Sequence, residues 1–225
     1  MRLNWRLLAG PVCSAPVSAF AVRRGSLSRS GGAAATLVGA LAFASGWPST
    51  RSLLAFFATS SALSHLPLEG RNHAPQRTAR QVMANGGVAS LAWTASLLGL
   101  GHPWDRLAAG SLAVAAADTW ATELGQRYGG VPRLITTGRP VESGESGGIT
   151  LVGTLAAVCG ALVVALSESG LSPRFAIIPA GLLGSLADSL LGASLQARFR
   201  CVVCAALTEQ PRHCGRPSEL ISGYA

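Results

Sequence analysis

A chain of 225 residues with 49% hydrophobic and only 12% charged residues is too apolar for an ordinary soluble domain, which points to lipid. The net charge of +8 raises nucleic-acid binding, but all 18 basic residues are arginines in short polar stretches between apolar ones, not a stripe among aromatics; no nucleic-acid partner is expected. Five cysteines, an odd number without the spacing of a secreted disulfide framework, indicate a reducing compartment.

Residues 1–30 form an arginine-rich N-terminal segment. Arg2 and Arg6 precede an apolar run that resembles a signal peptide, but Pro11 and Pro16 interrupt it, so an interfacial or re-entrant segment is an equal expectation. Six better segments follow at 31–47, 52–66, 83–101, 107–122, 148–167 and 175–197, several at or below the roughly 17–25 residues of a span. The expected fold is therefore all-α, a polytopic membrane protein of about six transmembrane helices over residues 31–197, followed by a Cys/His-containing tail at 198–225. With six spans, fifteen arginines fall on one side and only Arg51, Arg106 and Arg174 on the other, which sets both termini and the loop 125–147 in the cytosol. A seventh span in the first 22 residues would change the count to thirteen against five and leave the main loops where they are. Ser30-Gly31-Gly32, Asn85-Gly86-Gly87 and Ser146-Gly147-Gly148 would open three helices alike, and Ala117-Asp118-Thr119 matches Ala187-Asp188-Ser189. An internal helix-hairpin repeat and chance similarity in a Gly/Ala/Leu-rich chain both account for this.

Of three aspartates, Asp118 and Asp188 lie inside apolar segments, where a carboxylate is expensive and by default functional; the bland alternative is a partner that fixes helix packing. Glu123 follows Asp118 by five residues, so a continuous helix separates the two by about 140°. They converge only if the helix ends, and Leu124-Gly125 offers such an end. The loop 125–147 carries Arg133, Thr136, Thr137, Arg139, Glu142, Ser143, Glu145 and Ser146 among glycines, donors suited to phosphate or simply a solvated connection. There is no Walker loop, no lysine, and no Gly-x-Ser-x-Gly elbow for a hydrolase. In the tail, Cys201-x2-Cys204 with His213-Cys214 has the residue types of a tetrahedral Zn²⁺ site, although adjacent His213 and Cys214 are awkward as joint ligands; reduced, unliganded thiols are the alternative. His65, His73 and His102 share no ligand spacing.

Three stretches carry a resemblance: Ala117-Asp118-Thr119-Trp120-Ala121-Thr122-Glu123-Leu124-Gly125, Pro132-Arg133-Leu134-Ile135-Thr136-Thr137, and Ser146-Gly147-Gly148-Ile149-Thr150. With Gln81 to Val88 and Gly184 to Ala193, they resemble the family of transmembrane protein nineteen and the plant phytyl-phosphate kinase of vitamin E synthesis, here a bacterial-type member. The resemblance implies an enzyme of the bacterial plasma membrane that transfers a phosphoryl group from a nucleoside triphosphate to an isoprenoid monophosphate among membrane lipid. Asp118, Asp188, Arg133 and Arg139 are then the catalytic candidates, and Asp118, Glu123 and Asp188 the candidate Mg²⁺ ligands. Asn85, Thr136, Thr137, Ser146, Gly147 and Gly148 are the substrate-binding candidates. Two departures count against activity. Family members commonly read Gly-Thr-Ser/Asn-Gly-Gly where this chain has Gly144-Glu145-Ser146-Gly147-Gly148, and they continue into an Asn-rich motif and a last helix beyond the cysteine loop. A transporter, a scaffold and a truncated inactive member therefore stay open beside the kinase.

Overall fold

The computed structural model describes residues 5–66, 76–101, 103–168 and 171–223; His73 and His102 lie outside them. Seven helices run through the described residues: α1 Trp5–Arg23, α2 Arg29–Ser45, α3 Trp47–Ser64, α4 Ala79–Leu97, α5 Pro103–Tyr128, α6 Leu151–Ser167 and α7 Leu171–Leu195. Arg133–Leu134 (β1) and Gly148–Ile149 (β2) pair between α5 and α6. The tail holds Arg198–Cys201 (β3), Leu207–Thr208 (β4), Arg212–His213 (β5) and Arg216–Ser222 (β6) in an antiparallel sheet of order β4-β3-β6-β5.

The helices start where side chains satisfy the first backbone N–H groups. Ser28 accepts from Gly31 N–H at 3.0 Å, Thr150 from Gly153 N–H at 2.9 Å, and Thr78 forms a capping box with Gln81. Gly46, at φ 127°, breaks α2 from α3 in a conformation that an L side chain rarely adopts, and Pro48 then sits in the first turn of α3.

The bundle is built around small side chains. α5 buries Ala108, Ala109, Ala113, Ala116 and Ala117 completely or nearly so, and Ala157, Ala161 and Ala165 of α6 join them with Trp93 of α4. The large apolar side chains instead face outward: Leu91, Leu98, Leu151 and Phe175 are all more than 70% exposed. Small residues inside and leucines outside is the arrangement lipid favours, because helix association there rests on close backbone approach. Gly160 shows how close that approach is, since a Cβ there would stand 2.7 Å from Ala116 O and 3.0 Å from the Trp120 ring. Gly160→Leu is expected to destabilise the bundle by about 3 kcal/mol or more, as overpacking does, read as an earlier thermal melt in detergent.

Within the N-terminal segment expected at 1–30, the described residues pack on the bundle. α1 is a continuous helix despite Pro11 and Pro16, and it packs antiparallel on α2: Gly10 meets Ala40, Ser14 donates to Thr36 O at 2.9 Å, and Gly32 meets Val22. Neighbouring-helix contacts of this kind are how a proline-containing helix is held. α1 and Phe175–Leu195 are the two described helices long and apolar enough to cross a membrane, with Leu151–Ser167 a shorter apolar helix. Because α1 runs the length of α2, Trp5 lies at the opposite end of the bundle from the tail.

The other end gathers the polar loops. Ser28 N–H donates to Arg77 O at 3.1 Å, tying the start of α2 to that of α4. Arg127 reaches from the end of α5 to Leu66 O after α3, and Gly125 packs on Gly153 at the start of α6. The three glycine motifs are not equivalent in this frame. Gly31 lies in the first turn of α2 and Gly86 well inside α4, whereas Ser146 to Gly148 precede α6 in a loop and a short strand. The all-α expectation is corrected in the tail, where six backbone pairings join β3 to β4 and to β6.

Candidate functional site

α5 and α7 run parallel, with Gly181 against Ala113 and Gly184 against Val114, and this brings Asp118 and Asp188 to one level. Both line a cavity of about 610 Å³ walled by α5, α6, α7 and the loop before α6. Asp118 is half-buried, Asp188 is exposed, and the two carboxylates lie close enough for their charges to interact. Hydroxyls of Thr122, Thr154, Ser185 and Ser189 share the lining, with the amides of Gln126 and Gln196. Helical spacing puts them there: Thr122 lies one turn beyond Asp118, and Ser185 and Ser189 flank Asp188.

The loop closes one mouth of this cavity. β1 pairs with β2, Ile135 N–H donates to Gly147 O at 2.9 Å, and Gly148 N–H to Glu145 O at 3.0 Å. Gly147 takes φ 82° and lies flat on Ala193 of α7, while Gly192 faces Ser146. Ser146, Gly147 and Gly148 therefore line the same cavity as the two aspartates, as does the N-terminal end of α6 at Thr150 and Gly153. A helix N-terminus favours an anion at that mouth.

Six other candidates are held elsewhere. Gly125 does not end α5, which continues to Tyr128, so Glu123 keeps its angular separation from Asp118. Its carboxylate pairs with Arg127 at 3.3 Å and interacts with Arg77, whose guanidinium burial pushes below its usual pKa while Glu123 opposes that shift. Arg133 donates to Gly138 O at 2.9 Å within its own exposed turn, and Arg139, Thr136 and Thr137 are exposed on the same hairpin, outside the cavity lining. Asn85 lines a different, mostly apolar cavity of about 270 Å³ between α1, α2, α3 and α4, together with Arg77.

Two carboxylates are engaged at the loop. Glu145 faces Arg198 at 2.7 Å, an ion contact not aligned as a hydrogen bond. Glu209 of the tail accepts from both the N–H and the hydroxyl of Ser146, each at 2.8 Å. A carboxylate thus occupies donors that would suit a phosphate, and the 63-residue separation explains why no local pattern announces it. In the tail itself, backbone N–H groups of Cys204 and Val203 pull the Cys201 thiol down to about 6, whereas the hydrogen bond to Cys204 and burial push Cys214 up to about 11.

An apolar-faced helical bundle with paired carboxylates in a polar cavity at its loop end is the architecture of a polytopic helical membrane protein. The chain belongs to the family described as Integral membrane protein DUF92, whose model matches residues 12–225. This is the family of transmembrane protein nineteen and plant phytyl-phosphate kinase that its motifs resemble. It is 32% identical to Protein PGR of Arabidopsis thaliana, over 89% of this chain and 82% of that protein. An uncharacterised membrane protein of Methanocaldococcus jannaschii is 36% identical over 65% of this chain and 64% of its own length. One of Synechocystis is 30% identical over 68% and 66%. The chain thus spans about two thirds of the archaeal and cyanobacterial relatives. No solved structure matches.

Proposed function

We propose that the chain is a membrane phosphotransferase that moves the terminal phosphoryl group of a nucleoside triphosphate onto an isoprenoid monophosphate. The observation that carries this reading is the convergence of Asp118 and Asp188 in one polar cavity whose mouth is formed by Ser146, Gly147, Gly148 and the start of α6. Its volume of about 610 Å³ is within the range of small-molecule sites. The reaction joins two anions, and its transition state spreads negative charge over the moving group, so alignment and charge neutralisation are what a protein must supply.

Asp118 and Asp188 suit a magnesium ion, since two interacting carboxylates among hydroxyls are hard-oxygen donors that a cation would stabilise. Asp118 and Asp188 would hold such an ion, and it would supply neutralisation of phosphate charge at that place. Glu123, held by Arg127, is left out of that ligand set. The loop N–H groups and the Ser146 hydroxyl bind phosphate oxygen, and the acceptor's phosphate oxygen attacks the terminal phosphorus as the bond to the leaving nucleoside diphosphate breaks. Arg133 and Arg139 reach the site only if their hairpin moves, so their part is to attract anions towards it.

The helices lie in the plasma membrane of a bacterium, with the loop end in the cytosol on the thirteen-to-five arginine count. Nucleotide then arrives from water and the isoprenoid stays beside the exposed leucines in lipid. Radiolabelled nucleoside triphosphates offered with a panel of prenyl monophosphates to detergent-purified protein should yield prenyl diphosphate. No product from folded protein, together with cation or solute flux in proteoliposomes, would replace the enzyme by a transporter.

Glu209 bears on the same reaction. Its carboxylate competes with phosphate for the Ser146 donors, so Glu209→Ala is expected to lower KM for the nucleotide several-fold with kcat little changed. A raised KM would show instead that Glu209 holds the loop in its binding form.

A further inference from the structure

The tail sheet brings four ligand-type side chains to one point. β3 and β5 both pair with β6, with Cys201 opposite Ser218 and His213 opposite Arg216, so the turns that follow them meet at the same end of the sheet. The first turn folds back on its own sulfur: Val203 N–H donates to Cys201 Sγ at 3.4 Å and Ala205 N–H to Cys201 O at 3.0 Å. Ala205 then takes φ 56°, which carries Cys204 to the same side as Cys201. Cys214 takes φ 51°, an unusual conformation for a residue other than glycine. That turn resolves the difficulty of adjacent ligands, because it brings the thiol of Cys214 beside the ring of His213.

The spacings are those of a coordination shell. Cys204 Sγ and Cys214 Sγ lie 3.7 Å apart, His213 Nδ1 lies 3.5 Å from Cys204 Sγ and 3.3 Å from Cys214 Sγ, and all four ligand atoms fall within 4.8 Å of one another. Zn–S bonds of ~2.3 Å arranged tetrahedrally give an edge of ~3.8 Å between sulfurs, and a shorter Zn–N bond gives a slightly shorter sulfur-to-nitrogen edge. A disulfide needs sulfurs at ~2.05 Å, well inside the Cys204 to Cys214 separation. Two left-handed residues and an N–H···S bond shape these turns, in a small sheet whose outer strands β4 and β5 are two residues long, a setting in which a bound metal adds folding stability.

We propose that Cys201, Cys204, His213 and Cys214 form a closed structural zinc site that holds the tail sheet together. The site is independent of the phosphotransferase reading. By fixing the sheet it also fixes Glu209, which lies between the two ligand pairs in sequence, on the Ser146 donors.

The test uses the full chain purified in detergent without chelator. Elemental analysis should find about one zinc per chain, and exchange with Co²⁺ should give the intense visible bands of tetrahedral cobalt with a thiolate charge-transfer band. Cys204→Ser and Cys214→Ser should each lower bound zinc at least tenfold, while Cys13→Ser and Cys159→Ser, outside the cluster, leave it unchanged. The cobalt spectrum needs no variant and so separates loss of a ligand from loss of the fold. Absence of zinc with all five thiols titrating as free groups, or a weak octahedral cobalt spectrum, would overturn the site.

Discussion

Asp118→Asn should leave the protein folded and lower prenyl-phosphate phosphorylation by about 10²–10³-fold, the scale of removing one group that meets transition-state charge. Asparagine keeps the shape and one acceptor oxygen but removes the negative charge, so it separates the two roles open to a carboxylate in this bundle. If Asp118 fixed packing through a partner, neutralising it would lower the melting temperature. If it is present for chemistry, the fold is relieved, because a charged group in a helix within the membrane costs ~2.5–3.5 kcal/mol and Asp118 also bears the charge of Asp188. The expected pair of results is lost turnover with an unchanged or raised melting temperature. Asp188→Asn should behave alike, and the double variant should lose little more than either single one, since residues that act as a unit are not additive. Normal turnover by well-folded Asp118→Asn protein would remove the kinase reading.

Much of the helical frame was legible because membrane segments announce themselves by composition. The segments expected at 31–47, 83–101 and 148–167 are α2, α4 and α6 with ends displaced by a few residues, each displacement set by a cap such as Thr78 or Thr150. Asp118 and Asp188 stood out because so few charges lie in apolar stretches, and the structure does bring them together. Gly125 misled in a physical way. Glycine can end a helix or let one helix touch another, and only the neighbour decides: here Gly125 lies on Gly153 and Thr150, so α5 continues and Glu123 turns to Arg127. The prolines of α1 do not stop the helix, which packs along α2 with Ser14 on Thr36. Arg133 and Arg139 carried the right chemistry for phosphate, but they project from a hairpin whose pairing with Gly148 and Ile149 no local pattern reveals. Two of the four tail strands, β4 and β5, are two residues long and too short to show an alternation, and Glu209 depends on a contact across 63 positions.

The loop that shapes the cavity mouth depends on one residue without a side chain, and Gly147→Val is expected to destabilise the fold strongly. Two independent terms act there. The backbone sits at φ 82°, where a Cβ meets the following carbonyl for ~1–2 kcal/mol and a β-branched residue fares worse. The new side chain would also stand 2.7 Å from Ala193 Cα and 2.8 Å from Ala193 N, backbone atoms of α7 that cannot swing aside. Overpacking of this kind adds ~1–3 kcal/mol, for a total on the order of 2–5 kcal/mol. Gly130→Ala is the matched control: Gly130 also has a positive φ, 67°, but a Cβ there meets nothing within 4 Å, so it carries the conformational term alone. Thermal melts in detergent should therefore show a large fall for Gly147→Val and a small one for Gly130→Ala. If the loop detaches from α7 before the bundle unfolds, limited proteolysis will cut Gly147→Val first between residues 138 and 148 while α5 to α7 stay intact. Nucleotide KM should rise in the same variant, because Ser146 loses its position in the lining that it shares with the aspartates. Equal melting temperatures for the two variants would mean that the loop does not bear on α7, and that the cavity mouth is open rather than formed.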